Sequence, residues 1–363
     1  MTFKEKGGNT SMNKRGMYVA LAVAVVAVVG AAFAIGRITG GVEPQQPVTE
    51  DRAEEPRYVN IYTSRHYGVE PVFERFTEET GIEVRFTSGA DALLRERLKA
   101  EGENTPADMY IAVDAGNLWL AAEEGLLESV DSQTLRDNIP EELRDADGRW
   151  FGLTQRVRTI LYHPDRVSPE ELSTYEALAD PVWRERLVMR PSTHAYTQSL
   201  VSSLIAAHGE ARAEEIVRGW VANQPTFIDS DTQILEALAA GEGDVAVVNH
   251  YYLGRLLEED PEFPVRVFWA NQDDRGAHVN ISGAGITAHA PNRENALALL
   301  EWLSGPGQEM FASTNHEFPA NPNVEAHPII VEFGQFDADP LDKAEYGRLQ
   351  SSAVELLNRA GYE

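Results

Sequence analysis

From Tyr58 onward, short β-branched runs alternate with helical stretches, and this alternation narrows the possible folds more than any other feature. VNIYTS (59–64) has the composition of a strand. Pro71 to Thr80 follows, with Val72, Phe73 and Phe76 at helical spacing, and Gly81 ends it. IEVRF (82–86) alternates as a strand, Ala92 to Glu101 has helical composition, and DMYIAV (108–113) is a third strand before a helix from Gly116 to Glu124. Strands alternating with helices of this length predict a parallel sheet covered on both faces. WFGLTQRVRTILYHP (150–164) is a long strand-rich stretch. Ser168-Pro169-Glu170-Glu171 carries a helix N-cap, a proline at the first helical position and a glutamate three residues after the cap. LVMRP (187–191), DVAVVN (244–249), VRVFWA (265–270) and VNISGAGI (279–286) read as further strands. Helices are expected at 196–208, 211–222, 231–240, 292–304, from Pro306, and at 341–360. The pattern is two α/β units without a single long sheet, which predicts two lobes with a cleft between them.

The start of the chain is different. Lys14 and Arg15 precede an uncharged apolar run from Met17 to Gly36. Basic residues ahead of an apolar stretch are the layout of an export signal, and Ala32-Phe33-Ala34 offers a small-x-small cleavage site. A run of about twenty apolar residues is also long enough to span a bilayer, so a retained N-terminal anchor stands beside cleavage as a reading. Residues 38–57 carry Gly, Pro and acidic residues without periodicity and read as a flexible tether. The chain has no cysteine. That excludes disulfides, thiolate zinc sites, iron–sulfur clusters, cysteine nucleophiles and a lipid anchor through cysteine.

The formal net charge is -27, and because the first 34 residues carry +3, the remainder carries -30. Nucleic acid and anionic membrane are poor partners for such a surface, since neutralising phosphates takes Lys and Arg. Solubility is the plain reading. Adaptation to high salt is a second one, because Lys99 and Lys343 are the only lysines past the signal; full stability without added salt would rule it out. Steering of cations ranks below both, because salt screens long-range fields.

Several sites are absent. The sequence has no G-x-x-x-x-G-K phosphate loop and no H-E-x-x-H. Gly283-Ala284-Gly285 fits a relaxed dinucleotide fingerprint, but a strand runs through it and Pro291 follows, so close backbone packing is the expected use of those glycines. The tyrosines are more informative. Ser64-Arg65-His66-Tyr67 follows the first strand, Thr193-His194-Ala195-Tyr196 follows another, and His250-Tyr251-Tyr252 follows a third. Ligands of open α/β sheets bind outside the carboxyl ends of the strands. A lone tyrosine at a strand end is ordinary amphipathic packing; four of them with a histidine at three such ends point to a ligand. Tyr58, Tyr62 and Tyr162 fall within or at the start of strands and read as packing residues. Either the strand ends at Asn249 and both Tyr251 and Tyr252 turn into one crevice, or one ring is core and the other surface.

Phenols can stack on an apolar or sugar ligand, or bind a hard cation as phenolates. Ferric iron prefers anionic oxygen donors. A free tyrosine has a pKa near 10 and gives up its proton only where something such as a metal stabilises the phenolate. Three phenolates neutralise Fe3+ and a fourth leaves a negative excess, which needs a nearby cation or a helix N-terminus. Arg65, Arg156, Arg158 and Arg255 lie close in sequence to these segments, each equally readable as a surface or structural ion-pair member. Arg255, three residues after Tyr252, can fold back on it in a helical turn. Arg156 or Arg158 could hold a synergistic anion such as carbonate.

With VNIYTSRHY, PADMYIAVDAG, WFGLTQRVRTILYHPDRV and NHYYLGRL in view, the chain resembles the periplasmic ferric-iron-binding proteins of ABC iron importers, in the class with a tyrosine-rich site. The resemblance runs from about Tyr58 to the C-terminus. It implies a two-lobed periplasmic-binding-protein fold of type II, α/β, with mixed sheets flanked by helices, a hinge of crossing strands and here an N-terminal apolar helix. It places the iron ligands at Tyr67, Tyr196, Tyr251 and Tyr252, with His66 as an occasional ligand, and supporting arginines at Arg156 and Arg255. It also implies that the strand ends at Asn249 and both Tyr251 and Tyr252 turn into one crevice, with one phenol on each side of the ion and His250 packing away. The domain organisation that goes with it is a signal or anchor at 1–36, a linker at 37–57, lobe one at 58–156 and 282–325, and lobe two at 157–281 and 326–363. The expected role is capture of Fe3+ outside the cytoplasmic membrane, as a monomer, and delivery to an ABC permease. One alternative is a receptor of the same fold for a polyamine, sugar or phosphonate, indifferent to iron chelators. A metal-dependent hydrolase is disfavoured, since it needs an open coordination position and a general base, and no nucleophile–base pair is evident.

Overall fold

The computed structural model describes residues 57–65 and 68–363. The apolar segment at 1–36, the tether up to residue 56, and His66 and Tyr67 lie outside the described residues. The chain opens with β1 (Tyr58–Thr63), α1 (Glu70–Thr80), β2 (Glu83–Ser88), α2 (Asp91–Glu101), β3 (Met109–Ala112), α3 (Ala115–Glu123) and α4 (Gln133–Asn138). The twelve-residue β4 (Phe151–Tyr162) follows. Then come β5 (Leu187–Met189), α5 (Ala195–His208), α6 (Glu210–Ala222), β6 (Thr226–Phe227), α7 (Asp231–Ala240), β7 (Val245–Asn249) and α8 (His250–Glu259). The remainder is β8 (Arg266–Phe268), β9 (His278–Ile286), α9 (Arg293–Ser304), α10 (Gln308–Ser313), β10 (Phe318–Pro319), α11 (Pro328–Val331), α12 (Ala344–Arg348) and α13 (Gln350–Ala360).

The strand order is β2-β1-β3-β9-β4-β7-β5-β6, with β8 and β10 also on β4. Both ends are parallel: β1 with β2 and β3 on one side, β5 with β6 and β7 on the other. The middle is antiparallel. β9 pairs with β3 and with the first part of β4, from Phe151↔Ala284 to Arg158↔His278. β7 takes over from Arg158↔Asn249 to Tyr162↔Val245. Two separate sheets were expected; strand pairing instead runs unbroken through β9 and β4, because both are long enough to serve each half.

The apolar cores stay separate all the same. One gathers Val59, Phe76, Met109, Leu118, Trp150 and Leu153 with Ile281, Leu299 and Phe311. In the other half, side chains alternate between faces. Ile160, Leu187, Met189, Val245 and Val247 join one core with Trp220 and Leu356, while Leu161, Val188, Ala246 and Val248 join another with Leu235 and Leu253. This period of two is the signature of a sheet covered on both sides.

Local chemistry sets most element ends. Gly81 (φ 70°) closes α1 and Gly241 (φ 78°) closes α7 in the left-handed region. Asp114 and Ser132 cap α3 and α4 by accepting from Asn117 N–H and Leu135 N–H. The start at Ser168 does form its capping box but continues for a single 3-10 turn, Pro169–Glu171. The long C-terminal helix expected at 341–360 is two helices that meet at Leu349.

The Gly283-Ala284-Gly285 stretch lies inside β9, as expected. A Cβ at Gly283 would sit 2.5 Å from the Phe151 carbonyl oxygen, and one at Gly285 2.5 Å from that of Arg149. Backbone approach leaves no room to yield, so Gly283→Val is expected to destabilise the protein by about 2 kcal/mol or more, read as a lower denaturant midpoint at unchanged m.

Candidate metal centre

β7 ends at Asn249 and α8 begins at once with His250, so the two phenols that follow sit in the first turn of a helix rather than on opposite faces of a strand. Tyr196 occupies the first turn of α5, where the N-cap His194 accepts from Tyr196 N–H through Nδ1 at 3.2 Å. Two helix N-termini thus carry the three phenols, and their dipoles favour negative charge there. Tyr196 Oη and Tyr251 Oη are 3.1 Å apart. The rings of Tyr251 and Tyr252 stack with centroids 4.3 Å apart and planes 29° apart. Stacking keeps apolar ring faces out of water.

Tyr251 and Tyr196 are buried and Tyr252 is partly buried. Burial, and then the neighbouring phenols Tyr196 and Tyr252, push the Tyr251 pKa well above its ordinary value. Burial, then Tyr196 and Asp231, do the same to Tyr252. Without a cation these two phenols keep their protons at neutral pH.

Positive charge surrounds the cluster. The guanidinium carbons of Arg156, Arg158 and Arg190 lie 5.1, 5.6 and 5.7 Å from the centre of the Tyr196 ring. That of Arg255 lies 5.3 Å from Tyr251 and 5.5 Å from Tyr252, the fold-back along α8 that its spacing predicts. Arg158 and Arg190 share Asp231, with Arg158 Nη1 2.9 Å from Oδ1 and Arg190 Nη1 bonded to Oδ2. Burial would raise the Asp231 pKa, but the two arginines outweigh it and hold the carboxylate ionised. Arg156 is bound more loosely. Its Nη1 reaches Ser282 Oγ at 3.4 Å; its Nη2 is 3.9 Å from Asp114 Oδ2 and has no hydrogen-bond partner, although the side chain is 98 % enclosed (2 % exposed). An arginine donor buried beside phenols and unused by the protein suits an anion.

The other candidates sort cleanly. Arg65 is a structural ion-pair member, 2.7 Å from Glu317, bonded to Thr154 and lying 4.0 Å over the Phe311 ring. His250 packs away from the phenols: it stacks on Phe318 at 4.8 Å, and Nδ1 accepts from Val157 N–H at 3.1 Å. Tyr62 and Tyr162 are core residues. Arg190 and Asp231 were not singled out in the sequence. Their signal was there, since Arg190 directly follows a strand, at the carboxyl end where ligands are expected.

His250 also sets a pH response. Burial lowers its pKa from 6.5 to about 4. An unfolded histidine takes a proton near pH 6.5 while the folded one refuses it, so this contribution is full above pH 6.5 and is lost as the pH falls toward 4. Denaturant titrations at pH 7 and pH 4 are expected to differ by about 3 kcal/mol from this residue, and the histidine-specific share disappears in His250→Phe.

The bacterial extracellular solute-binding protein family matches residues 72–338. Iron uptake protein A1 of Synechocystis sp. is 40% identical over 360 residues, covering 96% of this chain and 98% of that relative. The Fe(3+)-binding periplasmic protein of Serratia marcescens is 29% identical over 308 residues, 83% of this chain and 89% of the relative. The solved structure of the Trichodesmium protein FutA in complex with iron and citrate ligands superposes with a TM-score of 0.80 at 41% identity, covering 84% of this chain and all of that one. With the family model matched over residues 72–338 and a relative 40% identical along nearly its whole length, the chain belongs to the family of bacterial extracellular solute-binding proteins.

Proposed function

We propose that the protein captures ferric iron outside the cytoplasmic membrane and hands it to an ABC permease. The observation that carries this reading is the convergence of Tyr196, Tyr251 and Tyr252 among four guanidinium groups. Three phenols at two helix N-termini can become three phenolates once a trivalent cation replaces their protons, and three such charges neutralise Fe3+. Tyr67 completes the ligand set in this reading, with His66 as an optional donor. Arg255 steadies the phenolates of its own helix. Arg156, with its unused Nη2, takes a synergistic anion; carbonate fits, and so does a carboxylate such as the citrate present with iron in the Trichodesmium structure.

The lobes that close on the ion are residues 58–156 with 282–325, and 157–281 with 326–363. The separate cores on either side of the β4–β9 crossing support that division, except that Tyr346 packs in the first core. The chain works as a monomer, exported by its first 36 residues, which are either cleaved or kept as a membrane tether. Among the described residues no helix is long and apolar enough to cross a membrane. The relatives are named for iron uptake and iron binding, and the role proposed here is transport without catalysis.

The test is an absorbance titration of metal-stripped protein with Fe3+ held soluble by a weak chelator. A coloured phenolate-to-iron charge-transfer band that saturates near one equivalent supports the proposal. Absence of any band overturns it, and leaves paired tyrosines that stack on an organic solute.

A further inference from the structure

We propose that Glu258, His316 and His327 form a second metal site, for a divalent transition ion such as Zn2+, apart from the tyrosine cluster. One ligand atom from each residue lies within 4.8 Å of the others. His316 Nε2 is 3.5 Å from Glu258 Oε2, and the His316 and His327 ring centres are 4.4 Å apart. Two ligands at tetrahedral positions around zinc, each roughly 2.05 Å from the metal, stand about 3.3 Å apart. The trio therefore needs only a small contraction to close on one ion, with water at the fourth position.

His316 shows that the trio is more than three neighbours on a surface. The residue is 4% exposed, and neither of its ring nitrogens has a hydrogen-bond partner. Buried imidazole nitrogens are rarely left idle. Its backbone has φ 52°, in the left-handed region that a histidine adopts only when its surroundings hold it there. Part of that hold comes from α8: a Cβ at Gly254 would meet the His316 Cβ at 2.9 Å, so helix and histidine are in close contact. Burial, His327 and Arg255 together lower the His316 pKa to about 4, which leaves a lone pair free at neutral pH. His327 currently spends Nδ1 on a long 3.4 Å bond from Ile329 N–H at the start of α11. Metal at Nδ1 replaces that bond, and metal at Nε2 puts the proton on Nδ1 and also ends it. Two neutral imidazoles and one carboxylate are a borderline donor set, suited to Zn2+, Ni2+ or Cu2+, where phenolates suit Fe3+. Glu258 stands at the far end of the helix that begins with the phenols, so the second ion would tie α8 to the segment before β10 and to α11.

The proposal stands without the iron reading. It is tested by calorimetric titration of the metal-stripped full chain with Zn2+ at pH 7.5, alongside Glu258→Gln, His327→Gln and the double variant Tyr251→Phe/Tyr252→Phe. The expected result is one equivalent of Zn2+, bound at least about tenfold more weakly in both ligand variants and unchanged in the tyrosine double variant. Glu258 is exposed and His327 half-buried, so both variants are expected to keep the far-UV circular dichroism of the parent. No stoichiometric Zn2+ binding overturns the proposal. So does binding that survives both ligand substitutions, or that disappears only when the phenols are removed.

Discussion

Replacing Tyr251 with phenylalanine is expected to weaken ferric-iron binding by at least a hundredfold, more than the roughly 10–100-fold that follows loss of a residue merely supporting a ligand. Tyr251 is almost fully enclosed, touches the Tyr196 hydroxyl at 3.1 Å and lies under Arg255. Removing one oxygen leaves the ring in place and the stacking on Tyr252 intact. The apo protein should accordingly lose no more than about 1 kcal/mol, the worth of one ordinary hydrogen bond. The cation, in contrast, loses an anionic ligand and the field of Arg255 loses its counter-charge. Tyr252→Phe should behave similarly, and in both variants the charge-transfer band should weaken and move. Affinity measured against a competing chelator, together with a denaturant curve, separates the two effects. A variant that binds iron as the parent does would remove the phenol pair from the site.

Iron affinity is also expected to fall steeply on acidification. Burial and phenol–phenol repulsion raise the pKa values of Tyr251 and Tyr252, so both carry protons at neutral pH when no cation is present. Binding must expel those protons. Lower pH stabilises the protonated, empty form, and the sign is therefore fixed: affinity rises with pH. Counting only the protons of Tyr251 and Tyr252, the apparent binding constant changes at least roughly a hundredfold per pH unit. A chelator competition series between pH 6 and pH 8, corrected for the chelator's own protons, gives the slope. A flat profile would mean that the phenols coordinate without ionising, or do not coordinate at all.

How far the chain could be read in advance differs from one level to the next. Strands and helices of ordinary length were legible because their apolar patterns were clean, as in Val72, Phe73 and Phe76 on α1 and the unbroken apolar run of β7. Tyr196, Tyr251 and Tyr252 were legible because each stands just past a strand, and the structure brings them together. The continuity of the sheet was not legible. It depends on register between β4 and β9, partners more than a hundred residues apart, and periodicity carries no register. Arg190 and Asp231 escaped for a related reason. An ion pair joining a residue of β4, a residue just past β5 and the first residue of α7 is a tertiary event, and the place of Arg190 at a strand end does not by itself reveal its partner. His316 and His327 gave no signal either, since they are eleven positions apart and meet Glu258 only through the packing of α8.

The antiparallel pairing of β3 with β9 has a consequence for how the protein comes into being. Met109 is bonded opposite Ile286, and Ile281, Leu299 and Tyr346 belong to the same core as Val59. The amino-terminal half of the molecule therefore has no completed interior until nearly the whole polypeptide has left the ribosome. Domains that finish early fold during synthesis; this one is wired to wait, and its long-range pairing makes closure slow. A chain that must be threaded through a membrane before it folds gains from that delay, because the segments that would lock it shut are the last to arrive.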